Sequence, residues 1–540
     1  MARRNKYFRL DEALRHTDHR RPISRRELIS QGFRAGGATI LGTSLFGLLG
    51  SRAHAISPNL LDSAHTAYTS CDLGAVSGRK IPFICFDLAG GANIAGSNVI
   101  VGGPGGQRDA LSPAGYDRLG LPAGILPFAN NPVTASGDFT DDTLGLLFHS
   151  DSAMLRGILD KATGMRGFVN GAVIPGRSDN DTGNNPHNPM YGIYRAGLRG
   201  QILQLIGSEN SDSGGNSMAP AMMIDPEIRP TKVDRPSDAS GLVDVGDLKL
   251  LLDDAEDIVS VLESMKRITD FKLNLVNTGI TNPGTEDKRL KDRLSCEYLR
   301  SADTLEKFSE PDALDPSTDA EIVGAGGIFD QAEFDGDSEF RKAASVMKLV
   351  TDGIAGAGTI EMGGYDYHTG DRRTGEERDL RAGQCIGACL DYARRTATPL
   401  MIYVFSDGSV ASDGSIEVVN GVEKGVWSGD NSSTAASFFL VYDPAGAPSL
   451  MDAGGADPLR QQQIGWMRPD ASVETSSTPA ANNVNLNVEM VILNYMALHG
   501  EQNLFAEAQF FPGHGLGNVA NRDRFVAFQP LASISGGVLT

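Results

Sequence analysis

The 540-residue sequence predicts an α/β protein: a mostly parallel central sheet, helices on both faces and one helical insertion. Three observations carry this expectation. Short, wholly apolar runs such as IPFICF and PLMIYVF read as strands buried on both sides. Runs with helical spacing alternate with them. Glycine- and aspartate-bearing turns follow the strands, as they do at the carboxyl edge of an open α/β sheet.

Taken in order, residues 81–88 form the first strand and enter the turn AGGAN, which lacks the GxGxxG spacing of a dinucleotide fingerprint. Residues 102–142, rich in Gly, Pro, Asn and Asp, form an irregular excursion. The segment SAMLRGILDKATG (152–164) has helical spacing, and GFVNGAVIPG (167–176) is the next strand. A polar stretch follows, with Asn185 or Asn188 placed to cap a helical pattern over 190–205. AMMID (221–225) reads as a short strand. Residues 243–300 are helical and charged, the core of an insertion spanning about 240–335. Alternation then resumes: a helix near 338–350, the motif GGYDYHTG (363–370), a helix near 376–395, strands at 399–405 and 436–442, and a helix at about 488–498.

Composition narrows the function. The formal charge is -20, but residues 1–55 carry 11 Lys/Arg against 4 Asp/Glu, leaving 37 against 64, or -27, for the remainder. So acidic a surface excludes a nucleic-acid partner. Residues 1–55 read as a cleaved twin-arginine signal peptide, with Arg25 and Arg26 in PISRRELIS, a weakly apolar stretch over 36–50 and Ala53-His54-Ala55 as the cleavage pattern. The translocase of that route is then a transient partner, and the mature chain, residues 56–540, is a single periplasmic or secreted domain with no stable membrane span. Five scattered cysteines make no disulfide framework, and Cys385 with Cys389, one helical turn apart, reads as a pair of small buried residues.

The chemistry gathers at the strand exits. Asp87 ends the first strand, Asp366 and His368 follow another, and Asp407 ends a third. In an extended segment residues i and i+2 share a side, so Asp366 and His368 can reach one ion. Carboxylate oxygen mixed with imidazole nitrogen suits zinc or manganese; carboxylates alone suit magnesium or calcium. Among the other histidines, His514 in FPGHGLGN reads as a loop residue that could reach a ligand, and His149 as a packed one.

The leader, then FDLAGGANIAGSN, NNPHNPMYGIYRAG, GGYDYHTGD and MIYVFSDGSVASDG, together resemble the ordered segments of a bacterial family of exported proteins, domain of unknown function family 1501, in the alkaline phosphatase and sulfatase superfamily. The resemblance spans most of residues 24–445. It implies an alkaline-phosphatase-like sandwich in which divalent metal supports attack by a Ser or Thr on a phosphate or sulfate ester. The family's GGxDxH motif falls on Asp366 and His368, its strand-end carboxylate on Asp407, and its Ser-x-Ser-His segment loosely on His187, without the serines. Thr182 and Ser178 lie in the loop expected to hold the nucleophile. The chain departs from the pattern at Asn93, where the family has an aspartate, and at WSGDNSS, where Asp430 stands without the family's histidine. Two functions follow: a hydrolase of small-molecule esters with a partly degenerate site, or a non-catalytic periplasmic binding protein, or envelope-assembly component, on the same scaffold.

Overall fold

The computed structural model describes residues 79–178, 185–242, 255–275, 291, 313–454 and 458–540. The predicted leader, Thr182 and half of the predicted insertion lie outside the described residues. Of the described parts of that insertion, the helix Ala255–Asn274 belongs to a different compact unit from the one formed by Gly74–Asp244 and Glu310–Thr540, whereas residues 313–335 belong to the latter. Among the described residues no helix is long and apolar enough to cross a membrane.

The larger unit is built on a seven-stranded sheet. Its strands are β1 (Phe83–Leu88), β2 (Val169–Pro175), β3 (Leu203–Gly207), β4 (Thr231–Lys232), β5 (Ala355–Met362), β6 (Leu400–Phe405) and β7 (Ala436–Tyr442). They lie in the order β2-β7-β6-β1-β5-β3-β4, and β7 alone runs against its neighbours. Phe83 stands level with Ala357 on one side and Met401 on the other, so the three central strands end together at Leu88, Met362 and Phe405. That shared edge is where the chemistry collects.

Helices cover both faces, which is why β1, β6 and β7 are buried at every position. On one face Phe83, Tyr403 and Phe439 pack on the helix Val484–Leu498, whose residues from Asn487 to Leu498 are all buried; Phe83 meets Tyr495 edge to face at 5.8 Å. On the other, the helix Ser338–Thr351 lies directly on the sheet. A Cβ at Gly358 would stand 2.7 Å from Val346 and 2.8 Å from Val350, so only glycine admits this contact. The helices Ala153–Lys161 and Arg373–Arg395 approach one another through Gly157, Gly383 and Gly387, where a Cβ on either Gly157 or Gly383 would come within 2.1 Å of a backbone carbonyl.

Three expectations are corrected. The helical pattern over 190–205 stops at Arg195; Gly197 takes φ +105, the backbone at Gly200 closes against Ala355, and Leu203–Gly207 pairs with β5 instead. AMMID is a turn, closed by the Met223 N–H on the Pro220 carbonyl at 2.8 Å, with Met222 exposed; prolines at 220 and 226 bound it too tightly for a strand. The excursion over 102–142 contains a short helix, Pro113–Arg118, capped by Ser112.

Candidate metal centre

β5 runs into Gly363 and Gly364, the latter at φ +86, and then into an extended stretch held by the Tyr365 N–H on the Ala89 carbonyl at 3.1 Å. Tyr365 and Tyr367 point inward and are buried. The Tyr365 hydroxyl donates to the Arg378 carbonyl at 2.8 Å, while that of Tyr367 accepts from the Asn93 N–H at 2.7 Å and donates to Asp379 at 3.3 Å. With the tyrosines anchored inward, period-two alternation turns Asp366 and His368 outward together.

A third group joins them. Asp430 closes a two-residue strand, Gly429–Asp430, that pairs with Val410 and Ala411 just beyond β6. His368 Nε2 lies 2.6 Å from Asp366 Oδ1 and 3.3 Å from Asp430 Oδ1. Among the described residues these three form the one group of His, Cys, Asp and Glu whose ligand atoms all lie within 4.8 Å of one another.

The donor set fits a divalent cation. Bonds of about 2.1 Å place neighbouring ligands about 3.0–3.4 Å apart, in tetrahedral or octahedral geometry. The His368–Asp430 spacing of 3.3 Å matches that range, whereas Asp366 at 2.6 Å stands closer than two ligands of one ion and would have to draw back. Asp366, whose side chain is 62% exposed, has room to swing aside. Three protein ligands at an open edge leave coordination positions for water and for a substrate oxygen.

The remaining predicted residues are placed differently, and each has a local reason. Asp407 is buried: its Oδ1 accepts the Gly90 N–H at 2.7 Å, and its carbonyl accepts the Ser178 hydroxyl at 2.7 Å and the Asn185 amide at 3.1 Å. It ties three loops together and stands outside the trio. Asp87 also stands outside the trio. Its carboxyl is sealed by the backbone N–H groups of Asn216 and Ser217 at 2.8 and 2.7 Å and by the Ser217 hydroxyl at 2.9 Å. Burial pushes it up to about 7 despite those donors, with the Asp407 and Glu361 charges adding to the rise.

His187 packs its ring on Phe405 and sits 3.0 Å from the Ser178 hydroxyl. Because that hydroxyl donates to Asp407, the histidine must be the donor in this pair, the reverse of what a general base requires. Burial holds the His187 imidazole down at about 4, hence neutral. Ser178 is fully buried, so the structure corrects the expectation that it is an available nucleophile. His514 contacts Phe505, Leu516 and Arg522, not the trio. Asn93 donates its amide to the Val410 carbonyl at 3.1 Å, a bond no carboxylate could make.

Two positioning features escaped sequence reasoning. Gly90, at φ +128, is wedged between Asp366 and Asp407; a Cβ there would stand 2.3 Å from the Asp366 nitrogen. The second is a buried charge network beneath the Asp430 loop. Glu376 accepts from Lys424 at 2.8 Å and pairs with Arg372 and Arg156, both at 3.2 Å, while Lys424 also meets Asp151 at 2.7 Å. Arg372 donates to the Gly425 carbonyl and lies 4.4 Å over the Trp427 ring, and Gly370 and Asp371 bond to Trp427 through backbone. The network thus locks the segment ahead of Asp430 to the segment just after His368. The alternating tyrosines were a readable signal for the site's orientation; the network, joining residues far apart in sequence, was not. Comparison with protein-family models, curated proteins and solved structures finds no match to this chain.

Proposed function

We propose that the protein is an exported, metal-dependent hydrolase of phosphate or sulfate esters, on an alkaline-phosphatase-like sandwich of the kind expected for domain of unknown function family 1501. The observation that carries this reading is the convergence of Asp366, His368 and Asp430 at the carboxyl edge of a largely parallel sheet. A bound zinc, manganese, calcium or magnesium ion would supply a Lewis acid for an ester oxygen. His368 and Asp430 would hold it at their present spacing, Asp366 would complete the set by rotating outward, and the imidazole makes zinc or manganese the better match. Ser178 is committed to the Asp407 carbonyl and sealed from solvent, which favours direct attack by water over a covalent route through that serine. Export in the folded state, implied by Arg25 and Arg26, suits a chain that acquires its ion before leaving the cytoplasm.

The second reading, a periplasmic binding or envelope-assembly protein, draws on that same burial of Ser178 and on the commitment of Asp87 and Asp407 to loop anchoring. Metal analysis of the purified mature chain, with turnover of aryl phosphate and aryl sulfate, separates the two. The hydrolase reading expects one ion per chain, turnover that depends on it, and at least a tenfold fall in metal affinity for His368→Ala and Asp430→Ala. Metal bound without turnover of any ester supports the second reading. A metal-free protein indifferent to both substitutions removes the centre altogether.

A further inference from the structure

A second cavity lies away from the trio. The 463–465 segment runs beside β2, with the Ile464 N–H on the Val173 carbonyl at 2.9 Å, on the flank opposite β7. Outside it opens a concavity of about 360 Å³, within the range of small-molecule sites. Arg460 and Arg524 line it, together with Trp466, Ser477, Thr478 and Asp452.

Neither Arg460 nor Arg524 makes a side-chain hydrogen bond or ion pair among the described residues, although Asp452 shares the cavity. Two guanidinium groups turned on one space form a receptor for a planar or tetrahedral anion, which they can grip in bidentate fashion. The hydroxyls of Ser477 and Thr478 are buried and lack hydrogen-bond partners among the described residues. A buried hydroxyl left unpaired is costly, and a rotation about its Cα–Cβ bond lets it turn to an oxygen in the cavity. Trp466 supplies a half-buried aromatic face.

We propose that this cavity binds a small organic anion: a carboxylate or phosphate-type group held by Arg460 and Arg524, carried on a planar ring that packs on Trp466. The site is independent of the metal centre, and its failure would leave the hydrolase reading untouched.

Trp466 is one of two tryptophans and the other, Trp427, is buried, so intrinsic fluorescence reports on the cavity. The probes are phenylphosphonate and benzoate, with phenol as ring without charge and inorganic phosphate as charge without ring. Titrations are run on the mature protein with chelator present, so that no cation at the sheet edge captures the anion. The expected result is saturable quenching by phenylphosphonate or benzoate, weakened about tenfold to a hundredfold in Arg460→Gln and in Arg524→Gln. Both arginines are exposed, so the variants should unfold at the wild-type temperature, and Trp466→Phe should abolish the optical signal while calorimetry still detects binding. Absence of saturable binding up to about 10 mM, well above any specific affinity, overturns the proposal, as does binding unaltered by both arginine substitutions. Inorganic phosphate binding as tightly as phenylphosphonate overturns the role given to the ring.

Discussion

Glu376→Gln is the substitution whose cost the structure defines most sharply. Glu376 is the hub for three cations, Arg372, Lys424 and Arg156, and the second carboxylate of the network, Asp151, meets only Lys424 and Arg156. Burial alone would push the Glu376 carboxyl up, but Arg372, Lys424 and Arg156 more than offset it and hold it below the usual range. Neutralising it leaves three cations facing one carboxylate in a space where Lys424 and Arg372 are almost wholly buried. Breaking a buried pair in this way costs about 3–5 kcal/mol. Lys424→Met is milder, because two arginines then balance two carboxylates; about 1–3 kcal/mol is expected. The two effects must also interact. In the Glu376→Gln background Lys424 is a surplus buried cation, so removing it should cost nothing or restore stability, giving a coupling energy of about 1–3 kcal/mol. Denaturant unfolding of the four proteins at neutral pH reads this directly, provided the slopes agree. Because a depressed carboxyl stabilises above its unfolded pKa and loses that contribution as pH falls through the lowered folded value, the gap between wild type and Glu376→Gln should close on acidification. A cost below about 1 kcal/mol, or single-variant costs that simply add, would refute the network as described.

The other expectations are shorter. Gly90→Ala meets both a left-handed φ and a backbone atom 2.3 Å from the new Cβ, so it should cost about 2–6 kcal/mol and weaken metal binding by displacing Asp366 from His368 and Asp430, seen together by thermal unfolding and metal titration. Asp87 has a folded pKa of about 7 against 3.8 unfolded, so its contribution is complete below about pH 4 and lost as pH rises through 7, on the order of 4 kcal/mol. Asp87→Asn can keep the two backbone bonds through its oxygen, and should flatten the decline in stability over that window; an unchanged pH profile would count against the sealed carboxyl. Ser178→Ala removes two buried hydrogen bonds, to the Asp407 carbonyl and from His187, and should cost about 1–3 kcal/mol while leaving ester turnover in place, whereas abolished turnover with intact folding would restore that serine as the nucleophile.

Much of the architecture was legible because its signals are local. Apolar runs flanked by turns marked β1, β2, β6 and β7 to within two residues, and the period of two in YDYH placed Asp366 and His368 on one side. Where reading failed, a tertiary partner decided. Leu203–Gly207 looks helical until β5 offers it a ladder. Asp87 has the position of a ligand, yet the 216–217 loop, more than a hundred residues later, donates to it first. Ser178 carries the right hydroxyl in the right loop, but no sequence pattern announces that Asp407 will claim it. Asp430 comes to notice only through the resemblance, at a segment read as a departure from the pattern, and its segment is tied to the one after His368 by the Trp427 backbone bonds to Gly370 and Asp371.

The reversed direction of β7 has a consequence for how such a protein can change. β6 leaves the sheet at Phe405 and β7 re-enters at Ala436 beside it, so the chain between them need not travel back across the layer. That intervening stretch is free to fold beyond the carboxyl edge of the sheet, and it carries Asp430 there. The hairpin formed by Ile416–Val419 and Val422–Gly425 belongs to that stretch and pairs only with itself, so its length can change while the seven-stranded framework stays as it is.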